Sequence, residues 1–150
     1  MKLTSSAFQE GEMIPAKYTC DGDNINPELF ISGVPPEAQS LVLVLDDPDV
    51  PESVRADRYW VHWIVMNISP RITHIPEDSP PFGVPGKNTG GTTTYQGPCP
   101  PDREHRYFFK LYALNVILAL QRGASKKQLD AAMEGKVITH TELMGLYKRI

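Results

Sequence analysis

No apolar stretch in this chain of 150 residues is long enough to cross a bilayer. The longest, Leu111 to Leu120, is half of the roughly 20 residues that a spanning helix requires, and Asn115 interrupts it, so it belongs inside a fold. Positive charge is not in excess either. The 15 Lys and Arg stand against 18 Asp and Glu, giving a net charge of −3, and the cations are scattered along the chain. Duplex nucleic acid is therefore not an expected partner, because phosphate-driven binding needs a basic face. Cysteine is scarce, and Cys20 and Cys99 are too far apart in sequence for a CxxC redox or zinc motif. The opening segment, Met1 to Glu10, has one positive charge and no apolar run of the length a secretory signal requires. The expectation is a cytoplasmic protein in which free thiols are the default.

Punctuation is what the chain has in quantity. Its 14 prolines and 11 glycines rule out long helices over most of the length. With 41% hydrophobic and 22% charged residues, the composition is that of one globular domain spanning residues 1–150, large enough to bury its own core. The fold expected is mainly β. Ser40–Leu45, Trp60–Ile68 and Arg106–Leu114 are apolar runs bounded by turn residues and are predicted strands. Glu142–Lys148 is a fourth candidate, for which a short helix is nearly as good a reading. One helix is well marked: Ser125 to Gln128 fits a capping box, Leu129, Ala132 and Met133 form a stripe, and Gly135 stands where a left-handed cap belongs. Asn115–Arg122 is a candidate for a shorter one. The long segments Asp46–Arg58 and Ser69–Glu104 are predicted loops, of a length that tends to carry function.

Three places carry chemistry. Asp46-Asp47-Pro48-Asp49 sets three carboxylates just past the end of the first apolar strand, where a turn initiated by Asp-Pro is the plainer reading. His62 stands between Trp60 and Trp63. Strict alternation puts it on one face with Trp60 and Ile64, and Val61, Trp63 and Val65 on the other. Alone, it reads as a half-buried core histidine. His105 and Tyr107 repeat the arrangement at the start of another strand, right after Gly97-Pro98-Cys99-Pro100-Pro101.

Taken together and in order, Asp47-Pro48-Asp49, Trp60-Val61-His62-Trp63, Gly97 to Pro101 and His105-Arg106-Tyr107 resemble the phosphatidylethanolamine-binding protein family, in particular its short bacterial branch of Raf-kinase-inhibitor-like proteins. The resemblance extends from Leu3-Thr4-Ser5 through Ile14 to Gly22 and Asn26-Pro27 to Glu142–Tyr147. It implies an antiparallel β-sandwich with a few peripheral short helices and a small anion-binding pocket. Carried over by position, the pocket residues are Asp47, Trp60, His62, Gly97, Pro100, Pro101, His105 and Tyr107. The implied ligand is a phosphate or a phosphorylated headgroup such as phosphorylethanolamine, with no cofactor. The alternative is a protein-binding inhibitor of a serine protease or kinase, working through exposed loops such as Val50–Arg58 or Pro80–Thr94. The chain departs from the family pattern in three respects. Asp102-Arg103-Glu104 stands where a glycine usually follows the two prolines, Glu52–Arg58 is unusually charged, and the chain ends at Ile150, short of the C-terminal helix of mammalian members.

A phosphate beside Asp47 needs an offset, since two like charges about 4 Å apart repel by about 4 kcal/mol at an effective dielectric of 20. Protonated His62 and His105 are expected to supply it, with Asp47 orienting a histidine or meeting a ligand ammonium, Tyr107 donating, and Gly97 allowing close backbone approach. Binding rather than catalysis is expected. There is no G-x-S-x-G elbow, and the prolines around Cys99 leave it without an activating setting. His62, His105 and Asp47 or Asp49 match no metal spacing. A bridge between Cys20 and Cys99 is a further option, which would tie the N-terminal segment to the loop at Gly97.

Overall fold

The computed structural model describes residues 1–149. Ser40–Asp47 (β3) is buried at all eight positions because it lies at the centre of a five-stranded antiparallel sheet, between Trp60–Ile68 (β4) and His105–Leu114 (β7). Val84–Pro85 (β6) and Val137–Tyr147 (β8) form the two edges. A smaller sheet pairs Lys2–Thr4 (β1) with Leu29–Ser32 (β2), and β2 with His74–Ile75 (β5).

Alternation along β3 divides the core. Leu41, Leu43 and Leu45 pack with Leu29 and Ile31 of the small sheet and with Phe109 and Leu111 of β7, while Val42 and Val44 pack with Leu118, Leu129 and Met133. The molecule is therefore a sandwich of two antiparallel sheets whose larger sheet is covered on its outer face by the single helix, Lys126–Met133 (α1). The helix starts at the capping box: Ser125 Oγ accepts from the Gln128 backbone N–H at 3.1 Å, and Gln128 Oε1 accepts from Ser125 N–H at 2.9 Å. It ends before Gly135, whose φ of +73° matches the left-handed position expected there.

One expected element is absent and two strands run longer than expected. Asn115–Arg122 contains no helix, because its backbone groups are satisfied from outside. Ser40 Oγ donates to the Val116 carbonyl at 2.6 Å, and the Asn67 amide clasps Leu118 through both its backbone groups at 2.8 and 2.9 Å. Glu142–Lys148 belongs to a strand, and that strand starts earlier, at Val137. The first strand likewise extends beyond Leu45, so Asp46 and Asp47 are its last two residues rather than the first of a loop.

The far end of β8 is closed by the N-terminal segment. Gly11 N–H donates to the Met144 carbonyl, Leu146 N–H to Glu12 and Ile14 N–H to Leu146. Gly145 permits this approach: a Cβ there would lie 2.5 Å from Ile14 Cγ1. At the other edge, Pro85 stands where a missing N–H costs least. Replacing Ser125 with alanine removes one half of the capping box, and urea denaturation should read a loss of about 1 kcal/mol with an unchanged m-value.

Candidate functional site

The strands bring the chemistry-bearing residues to one end of the sandwich. Asp46 pairs with Phe108 across β3 and β7, so the next residue, Asp47, falls beside Tyr107. His105, Tyr107 and Phe109 share the inner face of β7, with the first two at its open end. His62 reaches the same place through a bulge. Leu45 pairs with Trp63 and Asp46 with Val61, which leaves His62 without a partner on β3. Trp63 and His62 then both point inward, and Val61 and Ile64 both pack under α1. This corrects the strict alternation expected from sequence. His62 does share the side of Trp60, but not that of Ile64.

These residues enclose a cavity of about 210 Å³ lined by Asp47, Trp60, His62, Gly97, Pro101, His105 and Tyr107, with Val50, Val54, Gln96 and Cys99. Pro100 is the one expected pocket residue that does not line it: it is buried behind the wall that Pro101 faces. Gly97 lines the cavity for another reason than the one expected. A Cβ on it would lie 2.3 Å from the Tyr18 carbonyl oxygen and 2.5 Å from Asn24 Oδ1, so the missing side chain admits the N-terminal segment. Cys20 and Cys99 are joined in a disulfide, Cα to Cα 5.4 Å, which corrects the expectation of free thiols.

Gln96 went unmarked in the sequence, and nothing in its neighbourhood signals it. It is the clasp of the site: its N–H donates to the His62 carbonyl at 3.1 Å, its carbonyl accepts from His62 Nδ1 at 2.7 Å, and its side-chain oxygen accepts from Trp60 Nε1 at 3.1 Å. A carbonyl can only accept, so Nδ1 carries the proton. Burial depresses the His62 pKa to about 4, against weaker upward pulls from the Gln96 and Gly97 backbone and a further downward push from His105. His62 is thus a neutral ring, which corrects the expectation of two charged histidines. Its Nε2 makes no hydrogen bond to the described residues and keeps its lone pair.

His105 is held differently. Its fully buried side chain lies between two carboxylates, Nδ1 at 2.7 Å from Asp47 Oδ2 and Nε2 at 2.6 Å from Asp102 Oδ1. Burial pushes the Asp47 carboxyl above the ordinary range, opposed by His105 and by the Asp49 N–H. Asp102, half-exposed, is drawn below its ordinary value by the same histidine. Asp49 turns away to a bidentate pair with Arg106 at 2.8 and 2.9 Å. No cluster of three His, Cys, Asp or Glu side chains among the described residues is placed to hold a metal ion.

Tyr107 completes the site. Its hydroxyl is buried without a hydrogen-bond partner, and burial followed by the Asp47 charge raises its pKa well above the usual phenol, so it remains a donor. A buried hydroxyl without a partner is costly.

A two-sheet antiparallel sandwich with a small cavity walled by two histidines, a buried aspartate and a tyrosine defines the class of protein. The family model of phosphatidylethanolamine-binding proteins matches residues 4–148, and the chain belongs to that family. It is 52% identical over 149 residues to a UPF0098 protein of Chlamydia trachomatis, covering 99% of both chains. The crystal structure of a putative phosphatidylethanolamine-binding protein homolog from C. trachomatis superposes with a TM-score of 0.96 at 51% identity, over 99% of this chain and 97% of that one. Escherichia coli YbcL, a member of the same family, superposes with a TM-score of 0.89 at 29% identity, over 99% and 98%. No helix of the described residues is long and apolar enough to cross a membrane.

The depressed pKa of His62 has a measurable consequence. An unfolded histidine takes up its proton below about 6.5 and the folded one only near 4, so its stability contribution is complete above 6.5 and is lost as pH falls through that window. The full difference is about 3 kcal/mol. His62→Gln should therefore flatten the fall in urea-measured stability between pH 6.5 and 4; an unchanged slope would place the proton uptake elsewhere.

Proposed function

We propose that the cavity binds a small phosphate group or phosphorylated headgroup, such as phosphorylethanolamine, and that the protein acts by binding rather than by catalysis. The observation that carries this reading is the Tyr107 hydroxyl, a buried donor with no hydrogen-bond partner among the described residues, on a residue that lines a cavity large enough for a tetrahedral oxyanion. His62 adds an acceptor, and the Trp60 ring with Val50 and Val54 supplies apolar wall for the carbon part of a headgroup. The names of the relatives point the same way. Nothing in the site favours nucleophilic chemistry: Cys99 is consumed in the disulfide, and no serine lines the cavity.

One observation favours a second reading, that of a protein-binding inhibitor of a protease or kinase. Phe82 follows Pro80-Pro81 in one of the two loops expected to serve such a role and is 99% exposed. Single exposed apolar residues are ordinary on protein surfaces, which leaves the cavity as the stronger of the two observations.

Titration calorimetry with phosphorylethanolamine tests the first reading. A hydrogen bond to a charged group contributes about 1.5–3 kcal/mol, so Tyr107→Phe should weaken binding by roughly 10- to 100-fold, with thermal unfolding reporting an intact fold. Equal affinity in the variant, or no binding by the unaltered protein, would refute the assignment. Phe82→Ser should leave the titration unchanged.

A further inference from the structure

We infer that the cavity selects the singly protonated form of a phosphoryl group, with the ligand's own P–OH donating to His62 Nε2 while one of its unprotonated oxygens accepts from the Tyr107 hydroxyl. This deepens the phosphate reading and rests on it. The first ground is the fixed polarity of the two free groups. His62 Nδ1 is committed as a donor to the Gln96 carbonyl at 2.7 Å, so the other ring nitrogen offers a lone pair, and a fully deprotonated oxyanion has nothing to donate to it. Tyr107 offers one hydroxyl donor. An acceptor beside a donor matches an oxyanion that keeps one proton.

The second ground is the charge of the walls. No Lys or Arg lines the cavity. Arg106 is spent on Asp49, and Arg103 reaches Asp102 and the Asp49 and Glu104 carbonyls. Among the lining residues the carboxylate is Asp47, and Asp102 meets His105 from outside the lining, so two carboxylates flank a single imidazole. Such a wall repels a dianion more strongly than a monoanion, and nothing else in it compensates the second charge. Asp102 also occupies the His105 nitrogen that would otherwise bind an oxyanion, leaving Tyr107 and His62 as the free contacts. Burial that holds His62 neutral supports the same polarity.

The test uses the unaltered protein and Trp60, whose ring lines the cavity, as fluorescent reporter. Phosphorylethanolamine, methylphosphonate and sulfate are titrated from pH 5 to 8 at constant ionic strength. A phosphate monoester loses its second proton near 6, methylphosphonate at higher pH, and sulfate carries no proton anywhere in this range. Affinity should be flat below each ligand's second ionisation and fall about tenfold for each pH unit above it, with the break moving between the two phosphoryl ligands. Sulfate should bind at least tenfold more weakly than phosphorylethanolamine at pH 5.5. A break at the same pH for both ligands would show that a protein group titrates, and would overturn this inference while leaving phosphate binding intact. Sulfate binding as tightly as phosphorylethanolamine would overturn it as well. Absence of binding by both phosphoryl ligands at every pH would remove the proposed function itself and the inference with it.

Discussion

The site is organised around a carboxylate that the central strand carries into the interior. Asp47 ends β3 with its side chain almost wholly buried, and an unpaired charge there would cost several kcal/mol. His105, one strand over, meets one oxygen, and the N–H of Asp49 meets the other. The pairing of β3 with β7 runs without a break from Ser40 to Asp46 and brings the side chains of Asp47 and His105 together. Burial still outweighs those contacts in the carboxyl's proton affinity, and Asp102 supplies the second face of the imidazole. Asp47 from the central strand and Asp102 from just before β7 thus hold His105 from both sides, and Tyr107, the next inward residue of β7, has no hydrogen-bond partner among the described residues.

The two histidines share a cavity and have opposite electrostatic roles because of what the backbone does at each. His105 follows regular alternation and stands between carboxylates. His62 is the extra residue of a bulge, pulled into the Gln96 backbone, where a carbonyl fixes its tautomer and dry surroundings keep it uncharged. A site with one neutral and one carboxylate-bound ring is not the doubly cationic site that the sequence suggests.

Much of this was legible before the fold was known. The strand Trp60–Ile68 matches its predicted bounds because turn residues flank a pure apolar run, and the capping box of α1 marks its first turn unambiguously. Seven of eight expected cavity residues converge, because Asp47, Trp60, His62, His105 and Tyr107 stand at strand ends that the topology gathers on one side. What stayed hidden depends on contacts made across long stretches of chain. The bulge at His62 is a register shift between β3 and β4, with no local glycine to announce it. The disulfide was open as an option in the sequence, but its partners stand 79 residues apart, and the close packing beside it, where Gly97 meets Tyr18 and Asn24, is visible only in the fold. Asn115–Arg122 has helical spacing, yet Ser40 and Asn67 take up its backbone groups first.

The loop that closes the cavity has no regular structure from Pro98 to Glu104 and is nonetheless held to three separate elements. Gln96 ties its start to β4 through His62, Cys99 ties its middle to the N-terminal segment through Cys20, and Asp102 ties its end to β7 through His105. Three prolines, Pro98, Pro100 and Pro101, lie in the same stretch and fix φ at each of those positions. A wall so constrained has little conformational entropy left to lose. The cavity this loop helps to enclose, about 210 Å³, has Val54 and the exposed Pro101 in its lining.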